Sequence, residues 1–168
     1  MPSRQSSTSF GRFVTHPEAR MRVLIVEDEP PLRHLMQAWI ADEGVTALEA
    51  GSAEQALSVV ETEGAPAVAL CDVKLPGHDG IWLARQLHLS CPETAVVMTT
   101  AVHEFDAAVS SLHAGVVDYL SKPFTREGLA DALKRALVAH QSRRALADCR
   151  KSSNADAHRS PKRSPSSR

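Results

Sequence analysis

Nowhere does the chain carry an apolar run approaching the ~18 residues that cross a bilayer, and its first twenty residues contain no apolar core of a secretory leader. Both absences predict a cytoplasmic protein without a membrane span. Cysteine is scarce: Cys71, Cys91 and Cys149 lack metal-ligand spacing, and an odd number makes a poor disulfide framework. A reducing compartment fits them. From Arg143 onward there is no aromatic residue and no second helix pair of the kind a helix-turn-helix reader needs, so nucleic acid is not the expected partner.

What is present is one domain's worth of core. A length of 168 residues with 43% hydrophobic content supports a single domain plus surplus segments, not two full domains. The formal net charge of -1 conceals an asymmetry. Residues 1–20 carry three basic and one acidic residue, residues 21–140 eight and seventeen, and residues 141–168 eight and two. An acidic body therefore has basic ends. The opening MPSRQSSTSFGRFVTHPEAR is Ser/Arg-rich without periodicity and reads as a disordered arm, or as the product of a misassigned start with Met21 the true beginning. Residues 141–168 end in low-complexity Ser/Arg/Pro and read as a disordered basic tail, solubilising or weakly tethering.

Between Met21 and about His140 two kinds of segment alternate. RVLIVED, VTALEA, PAVALCD, TAVVMTT and GVVDYLSK are short, apolar and rich in β-branched residues, as strands are. Leu32, Leu35, Met36, Trp39 and Ile40 follow helical spacing, and Leu129, Ala132, Leu133, Ala136 and Leu137 repeat it. Ala53, Ala56, Leu57 and Val60 form a shorter stripe behind Ser52, a plausible N-cap; weaker periodicity marks 79–89 and 104–114. Continuous apolar strands alternating with helices predict a doubly wound α/β domain, a five-stranded parallel sheet with helices on both faces. In such sheets ligands sit beyond the carboxyl ends of the strands, where strand order reverses.

Those ends carry unusual cargo. The first strand runs into Glu27-Asp28, the third into Asp72, the fourth into Thr99-Thr100 and the fifth into Ser121-Lys122-Pro123. Two carboxylates about 5 Å apart repel by about 3 kcal/mol at an effective dielectric near 20, so the cluster calls for a cation. Hard oxygen ligands, few in number and partly exposed, suit Mg²⁺. With Lys122 opposite, such a site can neutralise a transferring phosphoryl group while an Asp72 oxygen attacks in line. Taken alone, Glu27-Asp28-Glu29 would read equally well as acids at a helix start.

The set Glu27-Asp28, Asp72 followed by LPGHDG, Thr100-Ala101 and DYLSKPF (118–124) resembles the receiver domain of two-component response regulators, a CheY-like, flavodoxin-like fold. The resemblance spans about residues 21–140. It implies that Asp72 accepts a phosphoryl group from a histidine kinase or histidine phosphotransfer protein, and that Glu27 and Asp28 hold Mg²⁺ together with Asp72 and the main-chain carbonyl of Lys74. Glu27 is a departure, since the first of the acidic pair is often Asp. The resemblance further makes Thr100 the switch hydroxyl, Tyr119 the switch aromatic and Lys122 the family's lysine, with a cis bond into Pro123.

The expected function is a single-domain phosphoacceptor, catalysing only its own phosphorylation and slow dephosphorylation, that signals by protein contact or phosphorelay. The rival is a transcription regulator whose basic tail contacts DNA. A haloacid dehalogenase-type hydrolase would need a second Asp where Lys74 stands. Thr99 competes with Thr100 for the switch role but is expected to point into a helix layer. The eight histidines share no ligand spacing and read as surface or loop residues, Trp39 reads as core, and Cys71 as a small buried hydrophobe on the face opposite Asp72.

Overall fold

A computed structural model describes residues 21–101 and 115–157. The segment 104–114 with its weak helical pattern, His103, His113, the arm 1–20 and the end 158–168 lie outside the described residues. Five strands alternate with four described helices: β1 (Arg22–Val26), α1 (Pro30–Asp42), β2 (Thr46–Ala50), α2 (Ala53–Glu63), β3 (Val68–Asp72), α3 (Gly80–Ser90), β4 (Ala95–Ala101), β5 (Val116–Lys122) and α4 (Arg126–Ala157). All pairings are parallel, in the order β2-β1-β3-β4-β5. The order reverses between β1 and β3, which puts their carboxyl ends at the crevice where doubly wound folds bind ligands.

Strand alternation sorts the core into two layers. Val23, Ile25, Val68, Leu70, Ala95, Val97 and Leu120 pack against Met36 and Ile40 of α1 and Leu129 to Leu137 of α4. Leu24, Val26, Ala69, Cys71, Val96 and Met98 pack against α2 and α3 on the other face. Every residue of the central strand β3 is buried, which is why it reads as an unbroken apolar run.

Local signals hold where they have a chemical basis. Ser52 caps α2 by accepting from Gln55 N–H at 3.1 Å, and Asp79 caps α3 by accepting from Trp82 N–H at 2.7 Å. Two expectations need correction. Leu35, placed on the apolar stripe of α1, is 44% exposed, and Trp39 is only partly buried at the edge of the core. A sheet edge covers a narrower arc of the helix than a five-residue stripe supplies. The second correction concerns the tail, because residues 141–157, expected to be disordered, continue α4 to Ala157. Its basic continuation opens on a run of good helix formers, Arg143 to Ala147, and Arg143 turns back onto the body, donating to the carbonyls of Thr94 (2.8 Å) and Gly115 (3.1 Å). Charged residues that pack along their stems leave no apolar stripe to read.

Candidate functional site

The carboxyl rim gathers its charges from three strands. Glu27 and Asp28 follow β1, where Val26 pairs with Cys71, so Glu27 and Asp72 come next on neighbouring strands. Ligand oxygens of Glu27, Asp28 and Asp72 all lie within 4.8 Å of one another, with Glu27 and Asp72 buried and Asp28 exposed. From β5, Lys122 places its ammonium 2.7 Å from Asp72 Oδ2 and 2.8 Å from Glu27 Oε2. The remaining oxygens are also engaged: Asp72 Oδ1 accepts from Lys74 N–H at 3.1 Å, and Glu27 Oε1 from Glu29 N–H at 3.3 Å. Among the described residues this is the one acidic group able to hold a metal ion, and its all-oxygen, partly exposed donor set fits a hard divalent cation that keeps some of its water.

The electrostatics follow from burial. Desolvation pushes the Glu27 carboxyl up, Lys122 pulls it down and the Asp72 charge pushes it up again, leaving it above its ordinary value. Burial likewise works against the Lys122 ammonium, but its hydrogen bonds to Asp72 and Glu27 prevail and hold it above the usual lysine range. Lys122 thus sits between two carboxylates as their counter-charge.

Backbone geometry explains the stretch after Asp72. Gly77 turns with φ at +76°, and Gly80 brings the start of α3 against β3 so closely that a Cβ there would lie 1.9 Å from the Asp72 carbonyl oxygen. Only glycine permits that approach. The Lys122–Pro123 peptide bond is cis, as expected.

The structure brings Glu27, Asp28, Asp72 and Lys122 together, with Lys74 joined through its amide. Thr100 and Tyr119 lie on the other layer of the sheet. Alternation puts Thr100 on the face of Met98, its hydroxyl donating to the Ala101 carbonyl at 3.1 Å. Tyr119, the register partner of Met98, packs on that same layer. Thr99 alternates with Val97 onto the α1/α4 face.

Four contributors carry no distinctive sequence signal. Arg33 donates from Nη1 to the Glu27 carbonyl at 2.6 Å and so braces the acidic turn. Glu54 Oε1 lies 2.7 Å from His78 Nδ1, and the His78 ring stacks on Trp82 with centroids 3.8 Å apart. His78 is a loop residue, as expected, but it ties the loop after Asp72 to α2.

These features match a known family along most of the chain. The family model described as the response regulator receiver domain matches residues 23–134. The chain belongs to the response regulator receiver family. It is 32% identical over 120 residues to the C4-dicarboxylate transport transcriptional regulatory protein DctD of Pseudomonas aeruginosa, covering 71% of the chain and 26% of DctD. It is 32% identical over 116 residues to the sporulation initiation phosphotransferase F of Bacillus subtilis, covering 69% of the chain and 93% of that protein. The crystal structure of the receiver domain of NtrX from Brucella abortus superposes with a TM-score of 0.65 at 32% identity, over 68% of the chain and 97% of the domain. This receiver therefore spans about a quarter of DctD and nearly all of the Bacillus protein.

Proposed function

We propose that this receiver is a Mg²⁺-dependent phosphoryl acceptor of a two-component system, with Asp72 as the acceptor and a histidine kinase or histidine phosphotransfer protein as the donor. The observation that carries the reading is the bridge from Lys122 to both Asp72 and Glu27 at a sheet rim where strand order reverses. Glu27, Asp28 and Asp72, with the main-chain carbonyl of Lys74, would hold Mg²⁺, whose charge offsets that of the phosphoryl oxygens when bound.

The chain's own residues supply the rest. β3 and the Gly80 contact hold Asp72 rigid, and the Lys74 amide fixes Oδ1, leaving Oδ2 as the oxygen whose partner is a side chain able to move. As an Asp72 oxygen bonds to phosphorus, the phosphorus–nitrogen bond of a phosphohistidine breaks, its electron pair staying on the departing imidazole. Lys122 then pairs with the phosphoryl oxygens, an exchange of one anionic partner for a more charged one. Thr100 moves towards the new acceptor, and Tyr119 follows into the vacated space on the α3 face, which alters the β5 surface. In this reading the protein works in the cytoplasm, is no enzyme beyond its own phosphorylation and slow dephosphorylation, and signals by protein contact or relay.

Intact mass after incubation with acetyl phosphate and Mg²⁺ tests the reading. Wild type gains one phosphoryl group and Asp72→Asn none; equal labelling of both would place the acceptor elsewhere. The second reading, a transcription regulator, draws support from the printed name of DctD and from the basic residues Arg143, Arg144, Arg150 and Lys151 on the end of α4. Sequence-preferring DNA binding enhanced by acetyl phosphate, seen in gel shifts at two salt concentrations, would favour it.

A further inference from the structure

Thr99 is 1% exposed, and its hydroxyl has no hydrogen-bond partner among the described residues. A buried hydroxyl left unpaired is costly, and native structures tend to keep one only where it has a use. Its position suggests the use. Asp72 and Thr99 are direct register partners on β3 and β4, and Thr99 faces Leu120 on β5. Alternation along β1, β3, β4 and β5 puts Glu27, Asp72, Thr99 and Lys122 on one face of the sheet, in line with Ile25, Leu70, Val97 and Leu120. Asp72 is therefore flanked by Glu27 on one side and by an unspent donor on the other. Thr100, by contrast, already donates to Ala101 and faces the opposite layer.

We propose that Thr99 is a positioning residue for the aspartyl phosphate, its hydroxyl donating to the Asp72 carboxyl oxygen that Lys122 releases on phosphorylation. The inference rests on Asp72 being the acceptor. In the resting state Asp72 Oδ2 is held by Lys122 and Oδ1 by the Lys74 amide, so the carboxylate needs no further donor. Once phosphorylated, Asp72 has one oxygen bonded to phosphorus and one as an ester carbonyl, and Lys122 turns to the phosphoryl group. The Thr99 hydroxyl then completes the inner side of the carboxyl. During hydrolysis water attacks phosphorus, the phosphorus–oxygen bond breaks and the pair of electrons returns to the carboxyl. A donor on that group strengthens as its charge grows, so Thr99 shortens the life of the phosphoryl group.

The test compares wild type, Thr99→Val, Thr99→Ser and Asp72→Asn, phosphorylated with acetyl phosphate and Mg²⁺, then freed of donor and followed by intact mass. Thr99→Val is expected to take one phosphoryl group and lose it about fivefold more slowly, the size of one ordinary hydrogen bond, while Thr99→Ser decays as wild type does. Thr99→Val should also melt no lower than wild type, since it removes an unpaired buried hydroxyl. A purely structural role would leave the decay rate unmoved, so equal decay of labelled Thr99→Val and wild type overturns the proposal alone. Absence of labelling in wild type overturns the acceptor reading and this proposal with it. If Thr99→Val fails to fold, Thr99→Ala carries the same comparison.

Discussion

Lys122 and Asp72 stand 50 residues apart in the chain and 2.7 Å apart in space, with Glu27 Oε2 on the same ammonium. The three groups form one unit in which a single cation compensates two buried anions. Removing one member leaves the others in a site that water reaches poorly.

Lys122→Met should therefore destabilise the metal-free protein by about 3 kcal/mol, read as a lowered urea midpoint with an unchanged slope. Added Mg²⁺ should recover a large part of the loss, because the metal replaces the missing charge between Glu27 and Asp72. Phosphorylation by acetyl phosphate should fall sharply in the same variant.

Acid should loosen the tether between α2 and the loop after Asp72. The hydrogen bond from His78 holds the Glu54 carboxyl down at about 2, against an ordinary 4.5. A carboxyl depressed in the folded state contributes stability above its unfolded value and loses that contribution as pH falls through its folded one. The difference in melting temperature between wild type and Glu54→Gln should hold above pH 4.5 and close as the pH approaches about 2. A difference that widens on acidification would contradict the pairing.

Thiol reactivity should separate the cysteines by depth. Burial, aided by the neighbouring Asp72 charge, pushes Cys71 up to about 12, while Cys149 is exposed on α4. Iodoacetamide at neutral pH should alkylate Cys149 in the native protein and reach Cys71 only after unfolding, as peptide mass mapping would show.

Arg143→Ala should cost about 2 kcal/mol, since it strips the charged donor from the Thr94 and Gly115 carbonyls. Truncation after His140 should cost as much, measured by urea unfolding. An unchanged midpoint in both would mean that the end of α4 adds nothing to the body.

Much of the site was legible because acids at the ends of apolar strands have no structural reason to be there. Glu27, Asp28, Asp72 and Lys122 could be picked from their place after RVLIV, VALC and DYLS. Arg33 and the Glu54–His78–Trp82 group could not, since each is an ordinary helix or loop residue until tertiary folding brings its partner near. Leu35 shows the reverse error, an apolar residue on a helical stripe that the core does not reach.

By itself the sequence determined the alternation of strands and helices, the parallel sheet and the residues at its rim, because hydrophobic period and turn chemistry are local properties of the chain. Only the tertiary structure decided which charges share a partner and how far α4 continues. It also decided that the Thr99 hydroxyl finds no partner among the described residues while the Thr100 hydroxyl donates to the Ala101 carbonyl. Those outcomes depend on distances of a few ångströms between residues far apart in the chain, set by strand register and burial.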